Sequence, residues 1–420
     1  MAGASPEIRK SISAGSHLDR AVRPGAFWAT AYTLFVLLMG TNLPTPLYRG
    51  YETRFGFSPL VVTCIFAAYV AALVPSLLLG GPLSDAVGRR KVLLPAVLLA
   101  ALGSLVFALA NGTASLFAAR ILQGIAVGAA SGALTAALSE LEPNGSRHRA
   151  ALVSTVASLA GLGAGPLVAG LIAQYAPEGY VLPYIVELVL LAPAAIAMLS
   201  LPGNRATAKW RPRRPSIPPG IRDAFIASGA ANFLAFSVIG LFLALVPSYV
   251  ARLSGSANLA VAGSAVTLML GCSIIAQIVA RDRPALGLQI TGMALLSTGL
   301  ALLAVAGSIS SLALLLLASV IAGAGHGMTF LGGLTEINRL APSDRHAEVL
   351  SSFFVVVYLG VGVPVIGVGL LATVFDLLTA VQVFAVLVVP LCLIELTILS
   401  RTRQLLAERA TPNRDSSAHE

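Results

Sequence analysis

The chain has 420 residues, of which 57% are hydrophobic and only 11% charged, whereas a soluble globular chain carries about 25% charged residues; it lacks the charge to cover a water-facing surface. The net charge of +9 lies in short segments beside apolar runs, which argues against a nucleic-acid-binding face. Apolar runs of membrane-spanning length recur along the chain, so the expected fold is an all-α membrane protein of 12 transmembrane helices in two six-helix pseudo-symmetric bundles.

Residues 1–25 read as a polar tail carrying Arg9, Lys10, Arg20 and Arg23. The apolar run that follows is too long for a signal core and has no small-residue cleavage site. Spans are predicted at roughly 26–48, 59–80, 91–110, 114–139, 150–174, 180–200, 223–250, 257–280, 284–306, 310–334, 347–374 and 376–400. The first bundle is then 26–200 and the second 223–400. They are joined by a cationic, proline-rich linker over 201–222 and followed by a tail over 401–420.

Taken in order, the first span holds Tyr32 and Asn42 as candidate cavity residues. The run Asn42-Leu43-Pro44-Thr45-Pro46-Leu47-Tyr48 is expected to break it near its outer end. Between spans two and three, Gly81 to Lys91 places Asp85, Gly88, Arg89, Arg90 and Lys91 in what reads as a short charged turn. Arg120 falls about seven residues into span four, where a cation costs on the order of 3 kcal/mol or more; with Gln123 and Gly124 one turn on, it should face a polar cavity. Span five carries Gly161, Gly165, Pro166 and Gly170, where glycine permits close helix approach and proline can kink the helix.

Glu187 in span six is the clearest intramembrane carboxylate, and reads either as a proton carrier or as a packing or lipid-interface residue. Asn232 in span seven is a further cavity candidate. His326 in span ten is open to a proton or substrate role or to that of a satisfied buried histidine. Glu336 and Glu395 lie toward inner helix ends, and Glu395 should reach the cytoplasmic face. Glu52 and Asp376 lie at the outer face.

Cys64, Cys272 and Cys392 are isolated and suit packing. No lysine stands in a Gly-Lys-Ser/Thr context, so no phosphate-cradling loop is expected. Neither metal nor other cofactor is expected, and no nucleophile–base pair points to an enzyme. Of the 27 cations, 23 fall on one side if the N-terminus is inside, so both termini should be cytoplasmic.

The halves also resemble one another. Gly124, Gly128 and Pro143 match Gly323, Gly327 and Pro342 at an offset of 199, and Arg147, His148, Ser154 and Pro166 match Arg345, His346, Ser352 and Pro364 at 198. Phe35, Pro46 and Tyr48 match Phe236, Pro247 and Tyr249 at 201. Such repeats place a substrate path at their interface.

On these residues the chain resembles the major facilitator superfamily from about 26 to 400. Gly81–Lys91 is similar to that superfamily's loop motif between helices two and three, with Pro82 as a departure. Arg120-Ile121-Leu122-Gln123-Gly124 resembles its Arg-x-x-Gln-Gly signature. Gly161 to Gly170 resembles the Gly-Pro-rich helix-five motif of drug–proton antiporters, with Ala169 where a second glycine is usual. The resemblance implies a conformational latch of Gly81, Asp85, Gly88, Arg89 and Arg90, with Asp85 at the N-terminus of helix eleven near His346–Leu350. It also implies proton coupling through Arg120; Gln123, Glu187 and His326 are further coupling candidates from the residues themselves.

The expected function is proton-coupled efflux of a small, moderately hydrophobic organic compound by alternating access. The alternative is an importer or facilitator of a small metabolite on the same fold. A receptor would call for a longer soluble segment. The expected partners are the substrate, protons and the lipid bilayer, with the chain acting as a monomer in a bacterial cytoplasmic membrane.

Overall fold

The computed structural model describes residues 6–201, 216–255, 258–342 and 345–410. Among them the regular structure is helical: α1 (Pro6–Asn42), a 3-10 turn (Thr45–Leu47), α2 (Tyr48–Phe55), α3 (Pro59–Val87), α4 (Arg89–Ala108), α5 (Thr113–Leu141), α6 (Arg147–Tyr175) and α7 (Leu182–Ser200), then α8 (Arg222–Ala244), α9 (Val246–Ser254), α10 (Leu259–Ala280), α11 (Ala285–Ser308), α12 (Leu312–Leu340), α13 (His346–Val374) and α14 (Leu377–Ala410). Twelve of these segments are long and apolar enough to cross a bilayer, and the chain is a multi-pass membrane protein. Most of the expected linker over 201–222, and the outermost parts of both expected tails, lie outside the described residues.

Local chemistry sets the helix boundaries. Ser146, Asn258, Ser311 and Asp376 each accept a backbone N–H from the first turn of the helix that follows them, satisfying donors that no carbonyl can reach. The proline pair at 44 and 46 ends α1 at Asn42 and starts a new short helix at Tyr48. Pro247, in the first turn of α9, marks the corresponding break after α8.

Several helices outrun the spans predicted for them. α5 continues to Leu141 and α12 to Leu340; at about 1.5 Å per residue a 29-residue helix is longer than the ~30 Å hydrocarbon core, so its polar last turns carry Glu140, Glu336 and Arg339 past it. The largest correction concerns 81–91. It is not an extended turn: α3 runs through Gly81, Pro82 and Asp85 to Val87, and α4 starts at Arg89. The break is Gly88 alone, at φ 98° and ψ 143°, an extended positive-φ conformation that costs a residue with a Cβ roughly 1–3 kcal/mol.

The described chain folds into two compact units. The first combines Met1–Pro44 with Ala71–Arg213, the second Thr45–Val70 with Arg214–Glu420. Within the first, α1 packs on α5, α6 and α7, and α4 packs on α5 and α7. The α1–α6 crossing is close because a Cβ at Gly161 would meet the Phe35 carbonyl, and one at Gly165 the Met39 carbonyl. Within the second, α8 packs on α12 and α13, and α11 packs on α12 and α14. Gly360 of α13 lies against the backbone of Phe233 in α8. The same pattern of neighbours thus recurs in each unit.

Candidate functional site

The first unit encloses a polar cluster assembled from four helices. Arg120, from α5, is fully buried. Its Nη1 donates to the Thr41 carbonyl of α1 at 2.5 Å and to Gln123 Oε1 at 3.2 Å, and its guanidinium carbon lies 5.8 Å from the centroid of the Phe107 ring of α4. Gln123 Nε2 in turn donates to the Gly40 carbonyl at 3.2 Å. These carbonyls are available because Asn42 is the last residue of α1, and the last four carbonyls of a helix have no partner within it.

Glu187, from α7, completes the cluster. It is 1% exposed and accepts a hydrogen bond from Ser104 of α4 at 2.6 Å. Arg120 lies close enough to act on it electrostatically. A Cβ at Gly40 would collide with the Glu187 carboxyl group, so the bare backbone of α1 makes the space the carboxylate occupies. Tyr184, one turn earlier, stacks on Phe107 with centroids 5.0 Å apart. The sequence singles out Arg120, Gln123 and Glu187; the structure brings all three together and sets Glu187 in the interior rather than against lipid. It adds Gly40, Thr41, Ser104 and Phe107, which reading the spans one at a time leaves unmarked. A lone serine and a lone glycine in apolar helices were the available signal.

Tyr32 and Asn42 hold helices together in this unit. The Tyr32 hydroxyl donates to the Leu190 carbonyl of α7 at 2.8 Å. Asn42 Nδ2 donates to the Leu162 carbonyl of α6 at 3.0 Å, beside Gly165. Pro166 lies inside α6 and, like Gly170, is buried.

At the end of α3, Asp85 pairs with Arg89 across Gly88 at 2.7 Å, and Arg89 reaches Glu140 of α5 at 2.9 Å. Arg89 Nη1 also donates to Ser84 at 2.5 Å. A carboxylate in the last turn of a helix opposes the helix dipole, and the Arg89 pair offsets that cost. Arg90 is exposed, and a Cβ at Gly81 would meet nothing within 4 Å; within this unit the glycine in close contact is Gly80, just before the motif, which lies against the backbone of Ala129.

In the second unit His326 is buried, with Nδ1 at 2.9 Å from Ser273 Oγ of α10. Gln277 Nε2 donates to the same Ser273 oxygen at 3.3 Å. The imidazole lies 4.7 Å from the Phe236 ring of α8 and stacks near Phe330. Asn232, also from α8, is fully buried and donates to the Ser228 carbonyl at 2.8 Å and the Thr329 carbonyl at 3.4 Å. The structure therefore groups His326 with Asn232 on the α8–α12 seam. Glu336 pairs with Arg339 at 2.6 Å near the end of α12. Glu395 is buried within α14, which continues to Ala410. Among the described residues no cluster of three or more His, Cys, Asp or Glu has metal-binding geometry.

Comparison with known proteins agrees with this architecture. The family model of the Major Facilitator Superfamily matches residues 30–365. The MdtD protein of Shigella boydii serotype 4, which carries a provisional multidrug-resistance name, is 28% identical over 186 residues, covering 44% of this chain and 39% of that protein. The cephamycin export protein CmcT of Amycolatopsis lactamdurans is 31% identical over 142 residues, covering 34% of this chain and 29% of that protein. The matched part of the chain thus spans less than two fifths of the length of either relative. Among solved structures, a peptide transporter POT in complex with sulfate superposes with a TM-score of 0.74 at 17% identity, covering 90% of this chain and 94% of that one, a likeness of fold alone.

Proposed function

The chain belongs to the Major Facilitator Superfamily, and we propose that it exports a small, moderately hydrophobic organic compound in exchange for protons, by alternating access and without enzymatic chemistry of its own. The observation that supports this reading most is the buried Arg120–Gln123–Glu187 cluster. A cation and a carboxyl group held together away from water form a pair whose charge state changes when one proton is taken up or released. Because α1, α4, α5 and α7 each contribute to the cluster, such a change alters contacts on four helices at once. The export direction is supported by the Gly-Pro pattern of α6 and by the export name of one relative.

The test is solute flux in proteoliposomes with an imposed pH gradient, screened over hydrophobic amines, weak acids and neutral aromatic compounds. At least one class should accumulate against its own gradient, and a protonophore should abolish that accumulation. If every transported solute moves at the same rate whatever the pH gradient, proton exchange is wrong even though the family assignment stands.

A further inference from the structure

Beyond the cluster in the first unit, the second unit holds buried polar groups with no protein partner. Among the described residues, His326 Nε2, Thr329 Oγ1, Asn232 Oδ1 and both side-chain amide atoms of Gln289 are buried without a hydrogen-bond partner. The four residues are each at least nine-tenths buried. Buried polar groups are almost always satisfied, and each exception is destabilising, so five such atoms along one seam point to partners from outside the protein.

Helix register puts them together. Asn232 donates to the Thr329 carbonyl at 3.4 Å and lies against Gly333. Thr329 lies against Gly292 of α11, and Gln289, one turn before Gly292, lies against Gly332. Asn232, Thr329 and Gln289 therefore sit at one level where α8, α11 and α12 meet. His326 stands one helical turn from Thr329 on α12, beside Phe236, one turn from Asn232 on α8. The hydrogen bonding of the ring also has a direction. Ser273 Oγ accepts from Gln277; in the tautomer in which its own proton goes to His326 Nδ1, the neutral ring carries a proton on Nε2 as a donor.

We infer that this seam is an internal hydration site, in which water bridges Gln289, Asn232 and Thr329 and gives His326 Nε2 a route for proton exchange. The chemistry of the lining suits water: it offers donors and acceptors of both kinds, and a buried water needs two to four polar partners. The close packing at Gly292, Gly332 and Gly333 excludes a drug-sized solute. The relay role rests on the proton-coupled reading above; the hydration does not.

X-ray radiolytic labelling of the full chain in lipid nanodiscs, read by mass spectrometry, tests it, because radiolysis of a bound water oxidises the side chain beside it. His326 should label several-fold faster than Phe353, which is fully buried in an apolar cluster with Val349, Val357 and Ile337. The double substitution Gln289→Leu with Thr329→Val should bring His326 down to the Phe353 rate and slow gradient-driven flux several-fold. Wild-type His326 labelling as slowly as Phe353, or a double variant with unchanged labelling, overturns the hydration site. Lost labelling with unchanged flux overturns the relay. Should the wild type move no solute under a pH gradient, export fails while the labelling still decides the hydration.

Discussion

The guanidinium of Arg120 does two jobs that substitutions can separate. It supplies donors to the Thr41 carbonyl and Gln123 Oε1, and it supplies a positive charge near Glu187. Arg120→Met removes both. With about 1–3 kcal/mol for each buried acceptor left without a donor, the variant should lose roughly 2–4 kcal/mol of stability and all proton-driven flux. Arg120→Lys keeps the charge but not the planar fork, and should retain more stability than flux. Glu187→Gln preserves shape and the Ser104 contact while removing the charge. If the two groups act as a unit, thermal unfolding of Arg120→Met, Glu187→Gln and the double variant will show a coupling energy of about 0.5–3 kcal/mol. Additive losses would mean that the two side chains are neighbours without being partners. Gly40→Ala probes the same contact from the backbone side, since the new methyl group and the carboxylate cannot share one space. Its stability should fall by about 1–3 kcal/mol, and Glu187→Ala in the same chain should restore part of that loss.

Helix contacts carry the next level of organisation. Gly161 and Gly165 bring α1 and α6 to backbone contact, and Gly165→Leu should force them apart, costing stability by the overpacking range of about 1–3 kcal/mol and reducing flux more than Gly81→Ala, where a methyl meets open space. Gly88→Ala strains the α3–α4 junction through its positive φ. Asp376 supplies a pH prediction outside the membrane. Hydrogen bonds from the Thr379 hydroxyl and backbone, then from the Leu378 backbone and with help from Arg252, hold its carboxyl below its ordinary value of 3.8. A carboxylate whose folded value is depressed contributes stability above its unfolded value, and that contribution is lost as pH falls through the folded one. Acid unfolding below about pH 3.8 should therefore be milder in Asp376→Asn than in the parent chain, measured against each protein's own stability at neutral pH.

The existence of these elements was legible because an apolar run of bilayer length has few places to go except across a membrane. Their ends were not. Gly81-Pro82 reads as a turn signal, yet α3 carries both, and only the positive φ of Gly88 ends it. Nor could the spans show which way Glu187 points. α7 is apolar on every side, so periodicity leaves its rotation open; Gly40 and Ser104 fix it from helices more than 80 residues away in sequence. Gln289 and Thr329 escape a reading of single spans for the same reason: each stands among scattered polar residues of a mostly apolar helix, and nothing within the span marks which neighbour it meets.

At the scale of the whole molecule, the cation distribution and the ion pairs at helix ends make separable predictions. With 27 cations and most of them in alternate connecting segments, the positive-inside rule predicts that both termini are cytoplasmic. Reporter fusions at the two tails should show the same sidedness, and opposite sidedness would remove the twelve-span topology. The Asp85–Arg89–Glu140 chain belongs to this scale as well, because it joins the ends of α3, α4 and α5. Exposed pairs of this kind contribute only about 0–1 kcal/mol to stability, so a purely structural role predicts that Asp85→Asn changes little. A role in switching between access states predicts that Asp85→Asn inserts and unfolds like the parent while its flux falls several-fold. In that case Glu140→Gln should show a smaller loss of the same kind, since it frees Arg89 on one side only. Measuring flux and thermal unfolding on the same purified samples separates the two. Equal losses in both would place these residues with the scaffold, whereas lost flux on an intact scaffold would place them with the switch.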